Sequence, residues 1–119
     1  MIPYKFLLLC GILTLTSCTN ESTLDLIDVP FVETVTYTND VKPIIDGSCV
    51  GCHGNPLING APMSLTTYEN VKQFVQNEKI INRISRDIND PQLMPVSGPK
   101  LPQPVIDLVI KWKDQGCLE

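Results

Sequence analysis

The sequence predicts an all-α domain of three to four short helices joined by irregular loops. Apolar residues recur at helical spacing in several separate windows, and residues that start or stop helices stand at the ends of those windows. One fifteen-residue stretch, "DPQLMPVSGPKLPQP", carries five prolines and is barred from being a helix or a central strand. At 119 residues the chain has length for one domain, with one small core.

The elements follow in order. Residues 39–48 form the first expected helix, with Thr38 or Asn39 as its cap and Pro43 in its tolerant first turn. Val41, Ile44 and Ile45 share one of its faces. "GNPLINGAPMSL" is loop chemistry, after which Thr66 or Thr67 caps a second helix with the stripe Tyr68, Val71, Phe74 and Val75. "EKIINRISRDI" offers a third, with Ile80, Ile81, Ile84 and Ile88, ending near residues 89–91. The last helix has Pro104 near its first position and the stripe Val105, Leu108, Val109 and Trp112. Gly116 stands where a left-handed terminator belongs.

Residues ahead of the domain read differently. "MIPYKFLLLCGILTLTSC" sets Lys5 before an apolar run at 6–15, about half the roughly 20 residues a spanning helix needs, which fits an export signal. Its end, "LTSC", resembles the lipobox of bacterial lipoproteins, which implies cleavage after residue 17 and acylation of Cys18. The expected organisation is therefore a signal peptide at 1–17, a membrane tether at 18–36 and a folded domain at 37–119. The expected location is outside the cytoplasm, lipid-anchored on the periplasmic side or at the cell surface.

The whole chain carries a formal charge of -4. Losing residues 1–17 removes Lys5 and no acid, leaving 8 basic against 13 acidic residues and a charge of -5. That balance argues against nucleic acid and anionic headgroups and favours partners with basic surfaces. Export also means that thiols are oxidised, capped or ligated. With Cys10 discarded and Cys18 acylated, Cys49, Cys52 and Cys117 remain, an odd number for a disulfide framework.

The chemistry concentrates in "DGSCVGCHGN". Cys-x-x-Cys-His is the attachment signature of c-type haem. Cys49 and Cys52, about one helical turn apart, can each form a thioether to a vinyl group, and His53 then lies under the iron as proximal ligand. A thioredoxin-like pair would need a βαβ setting, a structural zinc site needs four ligands, and a buried histidine beside incidental thiols is the plain alternative. Only three Phe and one Trp serve the whole chain, so the core is thin and a haem would fill it. For the sixth iron position Met94 is the candidate, 41 residues after His53 in the Pro-rich loop. Met63, ten residues after His53, suits packing better.

Together "YTNDVKPIIDGSCVGCHG", "MPVSGPKLP" and "VIDLVIKWKDQG" resemble a small mono-haem class I cytochrome c over residues 37–116. The resemblance implies a cytochrome c-like fold wrapped around one covalently attached haem c. It implies thioethers at Cys49 and Cys52, axial ligands His53 and Met94, and a terminal helix whose Trp112 packs where it crosses the first. It also implies a proline carbonyl that orients His53, for which Pro56 and Pro62 are the candidates; Cys117 matches no family role and is read as a free, inert thiol. The expected function is one-electron transfer between redox proteins, with no small-molecule substrate and no catalysis. The alternative is a haem-based sensor or peroxidase-like domain with an open or displaceable distal ligand. An accessory domain of a larger respiratory assembly is a third reading.

Overall fold

The computed structural model describes residues 33–96 and 98–119. The expected signal peptide, the acylation site Cys18 and most of the tether lie outside the described residues. Among the described residues the fold is all-α, with five helices and no strand. None of these helices is long and apolar enough to cross a membrane.

A π-helical turn, Tyr37–Val41, runs directly into α1, Lys42–Ser48. The cap is Thr36, two to three residues earlier than the sequence pattern suggests. Its Oγ1 accepts from the Asn39 N–H at 3.3 Å, while Asp40 Oδ2 accepts from the Thr36 N–H at 2.7 Å. The two side chains thus take up the backbone donors of Asn39 and Thr36, while the Asp40 N–H donates to the Thr36 carbonyl. Helical structure starts early because Tyr37 is buried and must be held inside.

Three further helices complete the fold after α2, Val50–His53: α3 is Tyr68–Gln76, α4 Lys79–Ile84 and α5 Gln103–Asp114. Thr67 caps α3 through its side chain, as its position predicts. Asn77 and Glu78 separate α3 from α4, and Glu78 takes a left-handed conformation with φ 65° although it is not glycine. Helix α4 stops at Ile84, earlier than the isoleucine pattern predicts, and Ile88 is 63% exposed. Asp87 explains the stop, because its side chain and carbonyl bind the Asn89 and Asp90 N–H groups and form a turn in place of the helix.

Helix α5 packs against the N-terminal turn, α3 and α4. Its fully buried residues are Ile106, Val109 and Trp112, whereas the expected Val105 and Leu108 are only half-buried. Contact with three elements at once turns the buried face toward Ile106. Gly116 has φ 90° and ends the helix as expected; the backbone then doubles back so that Cys117 is buried.

The core centres on Trp112. Its ring lies 5.9 Å from that of Tyr37 and 6.4 Å from that of Tyr68, and the two tyrosines are 5.3 Å apart. The C-terminal residues close over this cluster: Trp112 Nε1 and the Tyr37 N–H both donate to the Leu118 carbonyl, and Tyr68 Oη donates to that of Cys117. Residues 33–36, read from sequence as the end of a tether, belong to the packed unit. Val35 is buried, its N–H donates to Gln115 Oε1 at 2.8 Å, and Gln115 Nε2 donates to the Glu33 carbonyl at 3.0 Å. Trp112→Ala removes the shared ring of this cluster and is expected to cost about 3–5 kcal/mol. Urea unfolding of the full chain, followed by far-UV circular dichroism, measures it as a lowered midpoint at unchanged slope.

Candidate functional site

Cys49 is the hinge between α1 and α2. Its N–H still donates to the Ile45 carbonyl at 2.8 Å, but its φ and ψ of -121° and -46° bend the chain, and α2 begins at the next residue. Cys52 and His53 then donate their N–H groups to the Cys49 carbonyl, closing one turn that brings the two thiols to one side. Gly54 ends that turn, and no other residue fits there, since a Cβ would stand 2.6 Å from the Val50 carbonyl oxygen.

The loop that follows is tied back onto this turn. The Ile58 N–H donates to the Cys52 carbonyl and the Leu65 N–H to the His53 carbonyl. His53 Nδ1 lies 2.9 Å from the Met63 carbonyl oxygen. A carbonyl only accepts, so Nδ1 carries a proton, and Nε2 is the ring nitrogen left outside this bond. The acceptor expected from a proline carbonyl is thus supplied by the residue after Pro62. Neither Pro56 nor Pro62 itself takes the role.

Met94 arrives from the other side of the sequence. Its N–H donates to the Arg83 carbonyl at 3.1 Å, and the Arg83 guanidinium donates to the Gln92 carbonyl at 3.3 Å. Just before it, Leu93 is buried as an anchor. Asp90 holds the approach: one carboxylate oxygen accepts from the Gln92 N–H at 2.7 Å and the other from Arg86 at 2.8 Å. These bonds, the backbone one first, hold the Asp90 carboxyl below its ordinary pKa.

Cys49, Cys52, His53 and Met94 all line a single cavity of about 510 Å³. Its other walls include Leu65, Ile80, Ile84 and Leu101, so most of the lining is apolar. That volume is within the roughly 300–1,000 Å³ of small-molecule and cofactor sites. Met63 lines it too and packs against the core, in keeping with the role its sequence context suggests. Lys79 and Arg83 also line it. The sequence pattern missed both because their neighbours Ile80, Ile81 and Ile84 dominate the reading of that helix. Trp112 is wholly inside the aromatic cluster and is not among the cavity walls.

The site's chemistry can be narrowed further. Cys49 and Cys52 are both free thiols, and burial pushes the Cys49 thiol up to about 11. A redox-active pair works through a lowered thiol pKa at one cysteine, so this environment runs the opposite way. Among the described residues no three His, Cys, Asp or Glu side chains are grouped to hold a metal ion. The tetrahedral donor set of structural zinc is therefore not assembled. Cys117 is a free thiol, fully buried beneath the C-terminal residues, and burial raises its pKa as well.

No family model, no curated protein and no solved structure matches this chain.

Asp90 gives the site a pH-dependent latch. Its folded pKa is depressed, so the stabilisation is present above the unfolded carboxylate value and is lost as pH falls through the folded one. Asp90→Ala is expected to lower the melting temperature at about pH 7 and to bring wild type and variant together as pH falls below the ordinary carboxylate range. Thermal melts of the two chains across that range measure it.

Proposed function

We propose that this domain is a one-electron carrier of the c-type cytochrome kind, holding one haem c outside the cytoplasm and tethered to a membrane through lipid on Cys18. One observation carries the reading: Cys49, Cys52, His53 and Met94, drawn from two distant parts of the sequence, line the same largely apolar cavity.

The residues present fit such a group. Cys49 and Cys52 would hold it through thioethers from one turn of helix. His53 would offer Nε2 to the iron, because its Nδ1 proton is committed to the Met63 carbonyl; this second bond fixes the ring and tautomer and raises the basicity of the ligand. Met94 would supply a second ligand from a loop held by Leu93, Arg83 and Asp90. When bound, the haem supplies an Fe(II)/Fe(III) couple, and a His/Met pair raises its potential while occupying the position that oxygen or peroxide chemistry needs. The acidic chain would meet its donor and acceptor on basic surfaces.

Pyridine haemochrome spectroscopy tests the cofactor directly, on full chain exported alongside haem-maturation machinery. One covalent haem per chain is expected, and none in Cys49→Ala/Cys52→Ala. A wild-type chain without covalent haem overturns the reading. Met94→Ala is expected to abolish the weak charge-transfer band of methionine-ligated oxidised haem and to lower the potential. A wild type that lacks that band and binds carbon monoxide rapidly supports the sensor or peroxidase-like reading instead.

A further inference from the structure

Lys79 has no part in the reading above and Arg83 enters it only by steadying the Met94 loop, yet the charged ends of both belong to side chains that line the cavity together with its sulfur and imidazole groups. Among the described residues no Asp or Glu lines that cavity. In a chain with 13 acidic against 9 basic residues this is a local reversal of sign. Elsewhere Lys42 pairs with Asp46, Arg86 with Asp90, Lys111 with Glu33 and Lys113 with Glu78, while Lys72 donates to the Tyr68 hydroxyl and Lys100 to the Ser85 carbonyl, away from the cavity wall. Among the described residues neither Lys79 nor Arg83 has a carboxylate partner.

Their placement is ordered by the fold. They are four residues apart on α4, hence on one face of it. Arg83 is half-buried and steadied by its bond to the Gln92 carbonyl. A guanidinium carries five N–H donors, so most of them stay available. Lys79 is exposed, with Nζ 5.6 Å from the centroid of the Phe74 ring. One cation at the rim and one further in, with no acid opposite, describe a wall that selects negative charge on an otherwise apolar ligand.

We infer that Lys79 and Arg83 recognise carboxylates on the molecule that fills the cavity, and, resting on the haem reading, that these are the two propionates of the porphyrin. The pair fixes which edge of the ring system faces α4 and holds it there while the thiols of Cys49 and Cys52 engage the other substituents.

The test separates this inference from the reading beneath it. The full chain is titrated with ferric iron mesoporphyrin, whose ethyl groups form no thioethers, and with its dimethyl ester, which differs only in lacking the two carboxylate charges. Absorption changes give both dissociation constants. Because these pairs are partly exposed, wild type should bind the diacid about tenfold more tightly, equivalent to about 1.4 kcal/mol. Lys79→Gln/Arg83→Gln should bind the two equally, and the charge-preserving Lys79→Arg/Arg83→Lys should keep the preference. Equal binding of both porphyrins by wild type, or an unchanged preference in the Gln variant, overturns the inference and leaves the haem reading standing. Failure to bind either porphyrin overturns both.

Discussion

Three aromatic rings from three separate elements meet at Trp112, and the fold has few other large side chains with which to hold itself together. Tyr37 brings the N-terminal turn, Tyr68 the start of α3, and Trp112 is the last core residue of α5. Each tilted pair adds about 0.5–1.5 kcal/mol beyond its buried area. The polar atoms at the edge of this cluster then bind backbone carbonyls of residues 117 and 118, so the same side chains that fill the core also fasten the C-terminal end. With α1 and α5 fixed in this way, the chain that leaves α1 at Cys49 has a defined direction, and so does the cavity it helps to wall.

The cavity depends on a second set of constraints, made almost wholly by backbone. Carbonyls of Cys52, His53, Met63 and Arg83 each accept a bond that pins one part of the lining. Cys49 Sγ and His53 Nε2 take no part in these bonds, whereas His53 Nδ1 makes one of them, Arg83 donates to the Gln92 carbonyl and Cys52 Sγ accepts from Asn59 Nδ2 at 3.4 Å. Such a division suits a prosthetic group, since the ligating atoms need not hold the protein's own fold at the same time.

Much of this was legible in the sequence because it is local. The Cys-x-x-Cys-His spacing sets both thiols within one turn, Thr67 precedes a clear stripe, and Gly116 marks the end of α5; each signal acts within a few residues. What could not be read depends on distant partners. Tyr37 extends helical structure toward the N-terminus because Trp112 and Tyr68 bury it. Ile106 replaces Val105 at the core because α5 packs on three elements. The Met63 carbonyl, being backbone, has no sequence signature at all, and a proline was expected in its place. Ile88 continued an isoleucine pattern that the side chain of Asp87 interrupts. Lys79 and Arg83 carry no signal of their own among the isoleucines of that helix and join the cavity wall through the placement of α4.

The bonds that join Gln115 to residues 33 and 35, and Tyr37 to Leu118, bring the start and the end of the packed unit side by side. A unit with neighbouring ends is topologically self-contained: it can be set into a surface loop of another protein, or have its natural ends linked and new ones opened elsewhere, without unthreading its core. For a residue chain this short, that makes the domain a transferable part. The loop at residues 55–62, largely exposed, is then a poor place to cut, since it is stitched to the histidine turn.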